Sequence, residues 1–286
     1  MNKILCIVVT YNRINDLKTC ISSLHKQTYT DFDILVVNNG STDGTYEYLS
    51  TLPNVKTINQ QNLGGAGGFY TGMKYGFEHN YQWLWLMDDD GIPDTKQLQE
   101  LIKYKDTSWY LNALVLDKDN NSNFAFPSDD SHIKLDEIRK LPTTEQIVHP
   151  FNGTFYNIEL VKKIGFIKRE MFIWGDEKEY TFRAIRHGIK PITITSAIHY
   201  HPKEKGIKKN ALPWYHSKRT TIILKPEKLS HFYYRNLGFI DANYRSILKS
   251  IKQVLIHTIY FLRKGKFQEL SKFLKYYLRG RNNNFQ

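Results

Sequence analysis

Two periods of hydrophobic residues run through the first two hundred positions. Apolar runs at 3–10, Asp33–Asn38 and Trp83–Met87 are too short for helices and rich in β-branched or aromatic residues, so they predict buried strands. Val55–Asn59 predicts a shorter one. Between them Ile14, Leu17, Ile21 and Leu24 recur at helical spacing, and a second helix is expected over 68–79. Further on, 95–104 and 158–164 predict helices, Trp109–Leu116 a strand, and Asp176 opens a helix reaching Gly188. Pro191–Ile198 alternates apolar and polar residues, which predicts an edge-like strand ending in His199-Tyr200-His201-Pro202. Residues 117–150 carry the least pattern. Strands alternating with helices predict an α/β fold around a mainly parallel, doubly wound sheet, which binds ligands outside the carboxyl ends of its strands.

The pattern changes after residue 202. Ile247, Leu248, Ile251, Val254, Leu255, Ile259 and Leu262 form one apolar stripe of a helix, with Lys249, Lys252 and Arg263 off it. Charge changes there too. Of the net +12, residues 1–202 contribute −3 and residues 203–286 contribute +15. That asymmetry calls for an anionic partner of the tail, phospholipid or nucleic acid. Cys6 and Cys20 fall in apolar positions and offer no disulfide framework, which favours a reducing compartment. The N-terminus enters a strand directly, so no signal peptide is expected, and no run of apolar residues is long enough to span a bilayer.

Candidate chemistry collects at the predicted strand ends. Trp83–Met87 runs into Asp88-Asp89-Asp90, and carboxylates at i and i+2 suit a hard divalent cation shared with substrate phosphates; the plain alternative is a solvated acidic turn. Gly64, Gly65, Gly67 and Gly68 could bring backbone N–H groups to a diphosphate, or form a flexible turn. They match neither a P-loop nor a dinucleotide fingerprint. Asp176, Glu177 and Glu179 are a second acidic group. Acids favour a first helical turn in any case, but the preceding Phe172 and Trp174 could wall a sugar ring.

Taken in order, VVTYNR (8–13), VVNNGSTDGT (36–45), NLGGAGGF (62–69), WLWLMDDD (83–90), FNGTFY (151–156), FIWGDEKEYTFRA (172–184) and HYHP (199–202) resemble a family 2, inverting glycosyltransferase of GT-A fold. The glycine loop and triple aspartate are most similar to the galactofuranosyltransferase-like branch, which borders the rhamnosyltransferases. The resemblance implies a Rossmann-like, mixed, mainly parallel sheet flanked by helices. A catalytic domain is expected over 1–205, with a nucleotide-sugar half at 1–92 and an acceptor half at 93–205, and a basic amphipathic helical extension over 206–286. By the same resemblance Thr10, Tyr11, Asn12 and Arg13 line the nucleotide site, Asn39 and Asp43 meet uracil and ribose, and Gly67 and Gly68 border the diphosphate. Asp88 and Asp90 hold Mg²⁺ or Mn²⁺ with His201 or His199, and Asp89 lies nearer the donor sugar. Glu177, after Asp176, takes the place of the family's catalytic base, with Glu179 the competing choice. Asn152, Gly153, Trp174 and Glu179 are expected on the acceptor or sugar side.

The implied reaction moves a sugar from a nucleotide-sugar, UDP-galactofuranose first and dTDP-rhamnose second, to a polyprenyl-diphosphate-linked or growing polysaccharide acceptor. A cytoplasmic enzyme peripheral to the inner face of the cell membrane is expected, with homo-oligomers allowed. A nucleic-acid-binding protein acting through the basic tail is the competing class, but no RNA-binding signature accompanies it.

Overall fold

The apolar runs form the predicted strands, and their pairing places the polar turns. The computed structural model describes residues 3–126, 133–203, 207–212 and 220–285. The chain divides into two compact units, Met1–Arg169 with Tyr180–Glu204, and Glu170–Glu179 with Lys205–Gln286.

In the first unit β1 (Ile4–Thr10), α1 (Ile14–Leu24), β2 (Asp33–Asn38), α2 (Thr45–Ser50), β3 (Val55–Asn59), α3 (Gly64–Glu78) and β4 (Trp83–Asp88) alternate as the pattern requires. β5 (Ile92–Pro93), α4 (Gln97–Ile102), β6 (Tyr110–Asp117), α5 (Leu135–Ile138), β7 (Thr143–Thr144), β8 (Asn152–Asn157) and α6 (Ile158–Ile164) follow. α7 (Asp176–Arg186) and β9 (Ile192–His201) come next, although the first four residues of α7 cluster with the second unit. The sheet runs β3-β2-β1-β4-β8-β6-β9-β5, with β7 also on β9. β1 pairs in parallel with β2 and β4, β2 with β3 and β6 with β9, while β8 is antiparallel to β4 and β6. This is a mixed sheet whose longest ladders are parallel. Free thiols Cys6 and Cys20 lie in its core with Trp83, Trp85 and Phe155.

Two expectations change. β9 is not an edge, since β6 lies on one side and the short β5 and β7 on the other. α3 starts at Gly64 rather than 68, so the glycine cluster is helical. Its glycines let the helix approach the sheet closely. A Cβ on Gly68, Gly72 or Gly76 would lie 2.4 Å from Val9, 2.3 Å from Ile7 or 2.4 Å from Leu84.

The second unit contains the hairpin of β10 (Ile207–Asn210) and β11 (Thr221–Leu224), followed by α8 (Ser230–Tyr244), α9 (Ile247–Arg263) and α10 (Phe267–Arg281). It has a core of its own, including Tyr234, Ile256, Phe261, Phe273 and Tyr277. α8 and α10 touch backbone to backbone through glycines: a Cβ on Gly238 would lie 2.0 Å from the Tyr277 carbonyl oxygen, and one on Gly280 1.8 Å from that of Arg235. The stripe read from the sequence is mostly the outer face of α9. Ile247, Leu248, Ile251, Leu255 and Leu262 are exposed, and Ile256, His257, Tyr260 and Phe261 are buried instead.

Candidate functional site

The carboxyl ends of β1, β4 and β9 bring three turns of the first unit together. Val9 is in register with Asp88, so the acidic turn lies beside the Thr10–Arg13 turn. Thr10 Oγ1 donates to Asp89 Oδ2 at 2.7 Å. Arg13 pairs with Asp90 and lies 3.7 Å from Asp89. His201 Nε2 lies 3.1 Å from Asp90 Oδ1, while its Nδ1 donates to the Pro202 carbonyl at 2.7 Å. A carbonyl can only accept, which fixes the tautomer and leaves Nε2 as a ligand nitrogen when the ring is neutral.

One ligand atom from each of Asp88, Asp90 and His201 falls within 4.8 Å of the others. Two carboxylates and an imidazole are a fitting donor set for Mg²⁺ or Mn²⁺. The electrostatics agree, because the acids carry more negative charge than their surroundings offset. Burial, with Asp90 and Asp89 adding, raises the Asp88 pKa to about 8. Burial raises Asp89 to about 6 against Thr10 and Arg13. Burial also disfavours ionised Asp90, but His201 and Arg13 outweigh it and hold that carboxyl well below its ordinary range. His201 moves up because Asp90 outweighs the effect of burial.

The two histidines thus separate. His201 joins the acids, whereas His199 is fully buried, bonded through Nδ1 to Gln97 at 3.1 Å and pushed by burial to about 3.

The turns after β1 and β2 are laced together. Asn12 N donates to Ser41 Oγ at 3.0 Å, Thr42 N to Asn12 Oδ1 at 2.7 Å, and Ile14 N to Asp43 at 2.9 Å. Asp43 also accepts from Thr45 Oγ1 at 2.6 Å, and these bonds outweigh desolvation to lower its pKa. Tyr11 is exposed.

Several residues expected to touch ligand are occupied internally. Asn39 is buried; its amide donates to the Gly64 carbonyl at 2.9 Å, and its oxygen accepts from Gln60 and Leu63. It ties β2 to the start of α3. Gly67 and Gly68 are buried in α3, where their missing Cβ atoms make room for Leu63 and Val9. The open glycine is Gly65, with no atom within 4 Å of a Cβ position. A Cβ on Gly153 would lie 1.9 Å from Gln97 Nε2, so Gly153 serves packing. Asn152 is buried, and its Oδ1 has no partner among the described residues.

The second acidic group is described within the second unit alone. Gly175 N donates to Glu177 Oε2 at 2.9 Å, and the Glu177 side chain is partly exposed. Asp176 is buried at the start of α7. Glu179, expected on the sugar side and as the rival base, is fully buried and accepts from Tyr244 at 2.7 Å. The Phe172 ring stacks on Phe232 at 4.4 Å. Trp174 stays partly exposed with the Lys225 ammonium 4.9 Å above its ring.

The glycosyl transferase family 2 model matches residues 5–165, which supply the turns after β1, β2 and β4, while His201 and the Asp176–Glu179 group lie beyond it. The chain belongs to glycosyl transferase family 2. It is a glycosyltransferase, 31% identical over 214 residues to galactofuranosyltransferase GlfT1 of Mycobacterium tuberculosis, with 70% of each chain covered. The GT-A fold is shared with TarS 1–349 of S. aureus in complex with UDP-GlcNAc (TM-score 0.60, 16% identity, 97% of this chain and 81% of that one). It is also shared with the mannosyltransferase PcManGT of Pyrobaculum calidifontis in complex with GDP-Man and Mn²⁺ (TM-score 0.57, 16% identity, 96% and 73%). Sequence reasoning missed Gln60 and Gln97, buried or half-buried amides that brace this glycosyltransferase's turns. Isolated glutamines outside any motif gave no signal.

Proposed function

We propose that the chain is an inverting, metal-dependent galactofuranosyltransferase that uses UDP-galactofuranose and a polyprenyl-diphosphate-linked or growing polysaccharide acceptor. The observation carrying the metal-dependent donor site is the Asp88–Asp90–His201 cluster at the carboxyl ends of β4 and β9. Similarity to the mycobacterial galactofuranosyltransferase supports the choice of sugar.

Asp88, Asp90 and His201 would hold a divalent ion, which would supply positive charge to the departing nucleoside diphosphate. Arg13 adds a fixed positive charge beside Asp90, and Thr10 keeps Asp89 turned toward β1. Glu177 accepts the proton of an acceptor hydroxyl as that oxygen bonds to the anomeric carbon. The bond from that carbon to the nucleotide's phosphate oxygen breaks in the same displacement, which inverts the centre, as in inverting hydrolases. Mass-spectrometric assay of UDP-galactofuranose, dTDP-rhamnose and other donors with a lipid-linked acceptor, with and without EDTA, tests this reading. Transfer of galactofuranose abolished by EDTA is expected; transfer of rhamnose instead, or EDTA-resistant transfer, rejects it.

The same reading puts the enzyme on the inner face of an anionic membrane. No helix among the described residues is long and apolar enough to cross one. The support is the exposed aliphatic face of α9, edged by exposed Lys249, Lys252 and Arg263; apolar and cationic side chains together suit an interfacial helix. Flotation with phosphatidylglycerol vesicles should exceed that with phosphatidylcholine, and Leu248→Ser with Leu255→Ser should weaken it. Salt-sensitive retention by nucleic acid without flotation favours the competing reading of the tail.

A further inference from the structure

The segment 170–175 is folded against its local preferences. Phe172 and Trp174 lie in the left-handed region at φ 65° and 60°, and Gly175 has φ 108°. A residue with a Cβ avoids that region because the Cβ crowds its own carbonyl, so the loop needs holding from outside.

Two adjacent side chains of α8 do this. Asn236, fully buried, donates its amide to the carbonyls of Met171 at 2.8 Å, Ile173 at 3.0 Å and Trp174 at 2.9 Å. One NH₂ has two hydrogens, so one of them is shared. Arg235, 4% exposed, donates from Nη2 to the carbonyls of Glu170 at 2.7 Å and Met171 at 3.2 Å. Its other arm reaches the Phe285 carbonyl at 2.9 Å, and its Nε lies 3.3 Å from Asn236 Oδ1. Gly280 fits against the Arg235 carbonyl and fixes the arginine's own backbone from α10.

Arg235 has no carboxylate ion pair among the described residues, and burial pushes its pKa down to about 10. A buried guanidinium held by carbonyls, with the Glu170 carboxylate acting only from beyond ion-pair distance, is a poor way to gain stability, because apolar side chains fill the same space without the desolvation. What these polar groups supply, and apolar ones cannot, is a fixed direction for four carbonyls of one loop. That direction reaches the acid, because the Gly175 N–H bonded to Glu177 belongs to the peptide whose carbonyl, that of Trp174, is held by Asn236.

We propose that Arg235 and Asn236 are positioning residues that aim the Glu177 carboxylate by fixing the backbone of residues 170–175. The inference rests on Glu177 being the general base. The full chain labelled with 5-fluorotryptophan tests it, with the Trp174 signal identified by Trp174→Phe among five tryptophans. In Asn236→Asp an acceptor replaces the donor facing three carbonyls. The Trp174 signal should shift or split while the other four hold. With UDP-galactofuranose, kcat should fall roughly tenfold to a hundredfold at unchanged donor KM, the cost of a misaimed group. An unchanged Trp174 signal overturns the inference, and so does a donor KM that rises in step with the loss of kcat.

Should Asn236→Asp fail to fold, Gly175→Ala carries the same expectations. It crowds Ile240 at 3.2 Å and the Asn236 Cβ at 3.3 Å from the loop side and leaves α8 intact. Asn236→Gln, which keeps the amide, should recover part of kcat; recovery no better than with Asn236→Asp overturns the donor role. The fluorine signal needs no substrate. Normal turnover of Glu177→Gln therefore removes the base, while an altered Trp174 signal in Asn236→Asp still supports the hold on the loop.

Discussion

Asp88–Asp90 and Asp176–Glu177 are both short acidic runs, but they are held in different ways. The first ends β4, which is paired in parallel with β1 and antiparallel with β8, so backbone ladders on both sides fix where its carboxylates start. The second follows a loop with left-handed residues whose carbonyls are gripped by Asn236 and Arg235. A sheet ladder sets position through many local bonds. The loop depends on two side chains some sixty residues away in sequence. Strand-end acids should therefore tolerate changes in their neighbours, and loop acids should not.

Substitution can break that contrast. The largest effect is expected from Glu177→Gln, which should cost roughly a thousandfold in turnover, within the range of general-base catalysis, and leave nucleotide binding intact by calorimetry. Near-normal turnover would remove Glu177 from catalysis. Asp90→Asn strips both Arg13 and His201 of their shared partner. Losing a group that merely supports a metal ligand costs roughly 10–100-fold in affinity, so loss of a ligand should reach at least the upper end. Titration of UDP with and without Mn²⁺ measures it, and unaltered Mn²⁺-dependent binding would clear Asp90 of the role.

Smaller effects sharpen the contrast between the scaffolds. Gly72→Val places carbon where the Ile7 side chain lies, 2.3 Å from a Cβ position. It should destabilise the first unit by about 1–3 kcal/mol in urea, as overpacking does. In the second unit His257 stacks on Phe273 at 4.6 Å, and burial lowers its pKa from 6.5 to about 4. The folded unit thus keeps a neutral ring that protonates on unfolding. This contribution is complete above pH 6.5 and is lost as pH falls through about 4, with a slope of at most about 1.4 kcal/mol per pH unit. His257→Phe should flatten that part of the stability profile; an unchanged slope would assign it to other groups.

How much could be read from the sequence follows the same division. β1 to β4 and their polar ends were legible because buried parallel strands are written as unbroken apolar runs. The three acids stood out for the same reason. The glycines left two readings open, because four glycines look alike as letters whether they free a backbone for a ligand or admit a helix to a sheet. Only the register of Gly68, Gly72 and Gly76 against Val9, Ile7 and Leu84 separates the two. The bonds of Asn39 to Gln60, Leu63 and Gly64 were equally hidden, since they are a tertiary fact. In α9 the pattern marked a real apolar stripe, and periodicity could not say that the histidine and aromatic face was the one buried.

The grip of Arg235 and Asn236 on residues 170–175 also bears on the order in which a newly made chain becomes competent. Arg235 and Glu170 are 65 positions apart, and domains generally fold from the N-terminal side during synthesis. All nine strands described for the main sheet have been made once His201 is added. The loop leading to Glu177 must wait until α8 has emerged from the ribosome, and the Phe285 carbonyl on Arg235 arrives later still. A nascent chain can therefore assemble the Asp88–Asp90–His201 cluster well before the loop ahead of Glu177 finds its partners on α8.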